Sequence, residues 1–174
     1  MCLFMKGYLH VYTGNGKGKT TAAFGVALRS LLCGRKVYVG QFIKDMKYSE
    51  AALVSYFSNI TIEQLGQGCF INRVPSIEDK TLANCGLKRV EKILNEGTYD
   101  LVILDELTIA LHFNLLDLAD ILRILEHRKE NVEVIITGRY APKALIDIAD
   151  LVTEMMEVKH YYEKGVLSRK GIDC

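Results

Sequence analysis

Gly14-Asn15-Gly16-Lys17-Gly18-Lys19-Thr20-Thr21 is the stretch whose residue types and spacing bear most directly on chemistry. An apolar, β-branched run enters it and a helical pattern leaves it. Glycines let successive backbone N–H groups turn inward around phosphate oxygens, and the helix that follows adds its positive end. Lys19 supplies a point charge for the outer phosphates, and the Thr20 hydroxyl stands where a Mg²⁺ ligand is needed. The spacing departs from the standard phosphate loop, because the place five residues before Gly18, where that pattern requires glycine, holds Thr13. Gly14 lies one place closer, so the loop is one residue short. Nor is it a dinucleotide fingerprint, since the third glycine position of that pattern is Lys19.

A second group of chemically capable residues closes the apolar run Leu101-Val102-Ile103-Leu104, which ends in Asp105-Glu106. Carboxylates at a strand end beside a phosphate loop hold Mg²⁺ directly or through water, and Mg²⁺ needs only one or two of them when a triphosphate completes its shell. The plainer alternative is that one of the pair only ends the strand. No serine elbow, Cys–His arrangement or general base stands out. His10 falls in a strand, His112 after an apolar run and His127 at a helix end, all places that suit structural or solvated histidines. A nucleotide site without a protein nucleophile fits a second substrate that is itself a strong nucleophile.

These residues need a scaffold that brings strand ends together. Candidate strands are Tyr8–Thr13, Lys36–Ile43, Ile60–Leu65, Tyr99–Leu104, Val132–Thr137 and Leu151–Val158. Their near-continuous apolar content is that of parallel strands covered on both faces. Helical spacing marks Lys19–Cys33, closed by Gly34, then Ile77–Glu96, with Ser76 and Asp79 as capping residues and Gly97 after its end. A third helix is expected over Leu115–Arg128. The alternation predicts a three-layer α/β/α fold, P-loop NTPase-like, around a mostly parallel sheet of about six strands. Ligands of such sheets sit outside the carboxyl ends of the strands, where both motifs fall.

Composition narrows the partners. The 174 residues are 49% hydrophobic and 25% charged, with neither linker nor repeat, so residues 1–174 read as a single nucleotide-binding domain. A net charge of +1 offers no general attraction to nucleic acid. The longest stretch free of charged residues, Ala51 to Ile62, is too short to span a bilayer. The start, Met1-Cys2-Leu3-Phe4-Met5-Lys6, does not read as a signal peptide. Five cysteines without a close pair (Cys2, Cys33, Cys69, Cys85 and Cys174) indicate neither a zinc site nor a disulfide framework. A cytoplasmic setting is expected.

The stretch from Thr13 to Gly25 resembles the opening of the P-loop type ATP:corrinoid adenosyltransferases. The resemblance continues in Gln41-Phe42-Ile43-Lys44, in Asp100 to Thr108, in Ile135-Ile136-Thr137-Gly138-Arg139, in Val158-Lys159-His160 and Gly165, and in Gly171-Ile172-Asp173. It implies transfer of the 5′-deoxyadenosyl group of ATP to the cobalt of a reduced corrinoid, with release of triphosphate. The short loop of that family holds ATP reversed compared with ordinary P-loop enzymes, which exposes the ribose 5′-carbon. Cobalt(I) is then the nucleophile, in keeping with the missing base.

Carried over by position, Gly14, Asn15, Gly16, Lys17, Gly18, Lys19, Thr20 and Thr21 bind ATP, and Glu106, with Asp105 beside it and Thr20 opposite, serves Mg²⁺ or Mn²⁺. Lys19, Thr20 and Glu106 are the catalytic candidates. Arg29, Gln41 and Arg139 are further nucleotide candidates, against solvated or strand-capping alternatives; Lys44 flanks the second strand's end with Gln41, and Lys159 and His160 are candidates to face the corrinoid side chains, against solvated charge as the alternative. The family presses aromatics on the lower face of the corrin, a role implied here for Phe70 in Gly68-Cys69-Phe70-Ile71, with loop packing as its alternative. The segment before the first strand, Met1 to Gly7, is shorter than the N-terminal extension such proteins often carry. A homodimer and an electron-donating flavoprotein or other reductase are the implied partners, with no nucleic acid and no membrane. The rival readings are a small P-loop kinase or ATPase, and a non-catalytic ATP-binding module.

Overall fold

A computed structural model describes residues 6–43, 49–66 and 74–173. Six strands form one sheet: β1 (Leu9–Thr13), β2 (Val37–Gln41), β3 (Ile60–Gln64), β4 (Leu101–Asp105), β5 (Glu133–Thr137) and β6 (Leu151–Glu154). Their order is β3-β2-β4-β5-β1-β6, and every pairing is parallel. β1 and β2 are consecutive in the chain yet stand apart, with β4 and β5 between them. That arrangement makes the carboxyl ends of β4, β5 and β1 neighbours.

Each central strand feeds two cores, because successive side chains point to opposite faces. Val102 and Leu104 of β4 join Val134 and Ile136 of β5 on one face, with α2 (Ile77–Glu96), α3 (Leu107–His112), α4 (Leu118–Glu126) and α5 (Lys143–Ile148) contributing Val90, Ala110, Ile121 and Leu145. Leu101, Ile103 and Ile135 face the other side, under Ala23, Phe24, Ala27 and Leu31 of α1 (Lys19–Leu32). The result is the expected three-layer α/β arrangement. No helix among the described residues is long and apolar enough to cross a membrane.

Local chemistry sets the helix boundaries. α2 begins with a reciprocal cap, in which Ser76 Oγ accepts from Asp79 N at 3.2 Å and Asp79 Oδ2 accepts from Ser76 N at 2.7 Å, and it stops at Gly97 with φ 65°. α4 begins three residues later than the apolar spacing suggests. Asp117 Oδ1 accepts from Ala119 N at 2.7 Å and so caps the helix there, while Leu115 and Leu116 are buried ahead of it. Among the described residues four short elements carry too few residues for a periodic signal: α3, α5 and 3-10 turns at Ser49–Ser55 and Tyr161–Lys164. β6 ends at Glu154, not Val158. It is an edge strand exposed on both faces, and beyond it the chain turns onto the loop after β1.

Candidate active site

The outer side of the 14–18 loop is shaped by the chain after β6. Met155 N donates to Thr13 O at 2.8 Å, and Gly16 N donates to Met155 O at 2.7 Å. A Cβ on Gly16 would stand 2.7 Å from both the Met155 and Met156 oxygens. One on Gly14, where φ is 94°, would stand 2.5 Å from Met155 O. Glycine at these two positions answers a close backbone approach. The Gly16 N–H, expected to turn toward a phosphate, is instead committed to Met155.

Lys19 closes the loop from inside. Its ammonium donates to the Gly14 and Gly16 carbonyls, each at 2.7 Å, and the side chain is buried. Burial lowers its pKa, and the charge of Arg139 lowers it further, against the opposite pull of Glu106 and Glu157. Two cations thus converge on one space, an arrangement that favours an anion between them.

Beneath the loop lies Asp105, fully buried. Its Oδ1 accepts from Thr20 Oγ1 at 2.8 Å and from Thr137 Oγ1 at 2.7 Å, and its Oδ2 accepts from Gln41 Nε2 at 3.2 Å. β1's helix, β2, β4 and β5 are all tied to this one carboxylate. Such a buried charge is tolerable because its lone pairs are met. Glu106 follows in the left-handed region, φ 58°, with its N–H donating to Thr137 Oγ1 at 3.0 Å. That conformation costs on the order of 1–3 kcal/mol in a residue with a side chain. It carries the Glu106 carboxylate out of the strand line to the cleft, where Oε2 would lie 3.3 Å from a Cβ on Gly138.

A cleft of about 610 Å³ opens over these groups. It is lined by the loop from Asn15 to Thr21, by Ser49 and Glu50, by Glu106 and Arg139, and by the segment 160–173. Lys17 ties the loop to that last segment, donating to Ile172 O at 3.1 Å and to the Asp173 carboxylate. Among the described residues no group of three or more His, Cys, Asp or Glu could hold a metal ion alone. The donors do suit Mg²⁺ on a triphosphate. Thr20 spends its proton on Asp105 and keeps lone pairs for a cation, Glu106 supplies a carboxylate, and phosphate oxygens and water complete the shell.

The sequence candidates therefore separate by place. Asn15, Gly16, Lys17, Gly18, Lys19, Thr20, Thr21, Glu106 and Arg139 meet at the cleft, and His160 joins them; Gly14 is not among the lining residues. Asp105 and Gln41 lie beneath it. Arg29 sits exposed in the last turn of α1, about 15 Å of helix rise from Lys19, and is not among the lining residues. Lys159 is exposed outside the lining. Phe70 and Lys44 lie outside the described residues.

The family model for ATP:corrinoid adenosyltransferase BtuR/CobO/CobP matches residues 5–174. The chain belongs to this family. A corrinoid adenosyltransferase of Pseudomonas aeruginosa is 36% identical over 170 residues, covering 97% of this chain and 84% of the relative. Those of a Sinorhizobium species and of Escherichia coli K12 are each 34% identical, covering 97% of this chain and 80% and 86% of the relative.

Two features of this corrinoid adenosyltransferase fold escaped the reading of motifs. Thr137 shares Asp105 with Thr20, and the sequence marks it only by its strand-end place and its position in the 135–139 stretch, with no role. The backbone at Met155–Met156 that backs the loop has no side-chain signature at all.

Proposed function

We propose that the chain transfers the 5′-deoxyadenosyl group of ATP to the cobalt(I) of a reduced corrinoid and releases triphosphate, in cobalamin biosynthesis or salvage. The observation that carries this reading is the family match over residues 5–174, whose short phosphate loop lines the observed cleft. Lys19 and Arg139 hold the triphosphate and take up charge as it departs, the interaction that gains most in the transition state. Thr20 and Glu106 hold Mg²⁺ or Mn²⁺, which when bound neutralises phosphate charge. Asp105 acts through Thr20 by fixing its hydroxyl. Cobalt(I) needs no activation by a base, so the protein's work is alignment with the 5′-carbon and charge stabilisation.

The chain works as one nucleotide-binding domain in the cytoplasm, as a homodimer, and receives electrons for cobalt from a flavoprotein or another reductase. Incubation with ATP, Mg²⁺ and chemically reduced cobalamin tests the reaction. A light-sensitive cobalt–carbon product is expected; ATP consumed without any such product would overturn the reading in favour of a kinase or ATPase.

A further inference from the structure

After Leu145 no apolar side chain of the described chain is buried. Residues 160–173 nevertheless form one wall of the cleft. Val166 is 37% exposed, Ile172 61% and Leu167 76%, so apolar burial does not explain what keeps this wall in place.

Polar contacts centred on Asp173 do. Its carboxylate accepts from the Lys17 ammonium and the Tyr161 hydroxyl. Its Oδ2 also accepts from Arg169 N and Nε, each at 3.0 Å, and the Arg169 guanidinium covers the Tyr161 ring at 4.7 Å. The Asp173 side chain is only 11% exposed in a stretch that is otherwise open. Lys17, Tyr161 and Arg169 hold this carboxyl well below the usual carboxylate range. Burial acts to lower the Lys17 pKa, yet Asp173 outweighs it and raises the value. The pair therefore stays charged across the neutral range, where charge-assisted hydrogen bonds are strongest.

We infer that Asp173 is a positioning residue for the nucleotide, holding residues 160–173 against the phosphate loop as the far wall of the cleft, with Lys17 as the loop's anchor for that wall and not a phosphate ligand. The inference rests on the reading of the cleft as the ATP site. The charge of Lys17 is already matched by Asp173, and Lys19 with Arg139 remains for the triphosphate. A wall held by one carboxylate opens locally when that carboxylate is lost, and ATP affinity then falls with the closed fraction. Asp173 acts on the closed fraction of the wall and touches no reacting group.

The test compares Asp173→Asn, Lys17→Met, their combination and the milder Tyr161→Phe. ATP binding to the corrinoid-free protein and amide hydrogen exchange of residues 160–173 are measured first. Neither depends on adenosyl transfer, so failure of the proposed reaction stays distinguishable from failure of this inference. Asp173→Asn should weaken ATP binding about tenfold and speed exchange in 160–173 by a similar factor, as expected for a closed fraction reduced that far. With reduced cobalamin, KM for ATP should rise while kcat changes less than about twofold, the signature of lost binding common to ground and transition states. Tyr161→Phe should shift both readouts the same way by less. Lys17→Met added to Asp173→Asn should cost nothing further. Losses that multiply in the double variant would overturn the inference and make Lys17 a phosphate ligand. So would unchanged exchange in Asp173→Asn.

Discussion

At the scale of single residues, two carboxylates adjacent in sequence do different work because β4 ends between them. Asp105 is the last strand residue, points under the loop and accepts from Thr20, Thr137 and Gln41; Glu106 is turned out to the cleft by its left-handed backbone. Glu106→Gln should leave thermal stability unchanged while raising the Mg²⁺ concentration needed for turnover, read from a metal titration of the rate. Asp105→Asn should instead lower the unfolding temperature, because its amide nitrogen would meet a hydroxyl or amide donor and leave a buried group unpaired, at about 1–3 kcal/mol. Lys19→Ala should lower kcat/KM for ATP by at least about 10- to 100-fold, since one lost charge-assisted contact to a phosphate costs roughly 1.5–3 kcal/mol before any misalignment. Burial, with the nearby Arg139 charge, lowers the Lys19 pKa below the ordinary lysine value. Below that lowered value the ammonium is charged and binds phosphate; above it the charge is lost. ATP affinity should therefore decline with rising pH before the ordinary lysine range is reached, as a titration of kcat/KM for ATP would report.

At the scale of elements, the loop is held between two neighbours that the motif does not mention. The backbone at Met155–Met156 backs it and residues 160–173 face it. Gly16→Ala should push the chain after β6 away from the loop and weaken ATP binding at least about tenfold, because the new methyl would meet two backbone carbonyls that have no flexible end to give way. Calorimetric titration with ATP checks it; full affinity would show that the approach of Met155 does not shape the loop. Long elements were legible because their signals are strong and local: α2 carries its own capping box, and β4 and β5 are apolar on both faces as buried parallel strands must be. What stayed illegible depends on contacts between distant parts of the chain. α4 starts at its cap and not where the leucines begin, Gly16 bonds Met155, and Lys17 bonds Asp173 across the whole length of the sequence. In the site, the residue types were readable from the loop and the acidic pair, but Arg29 and Gln41 were not placed by them. Arg29 lies at the far end of α1, and Gln41 serves a buried carboxylate.

At the scale of the whole molecule, the order β4-β5-β1 gathers the loop, the acidic pair and Arg139 at one sheet edge, and residues 160–173 line the same cleft. The groups proposed to hold phosphate and a divalent cation, Lys19, Thr20, Glu106 and Arg139, all line that cleft, together with Glu50 and with His160, whose Nδ1 accepts from Tyr162 N. The proposed reaction cleaves the bond at the 5′-carbon of ATP, with all three phosphates leaving together. Phosphorus NMR of the reaction with ATP, Mg²⁺ and reduced cobalamin tests this directly. Intact triphosphate should appear in equal amount to the adenosylated corrinoid and should be absent when the corrinoid is omitted. ADP and inorganic phosphate as the main products, formed with or without corrinoid, would contradict it.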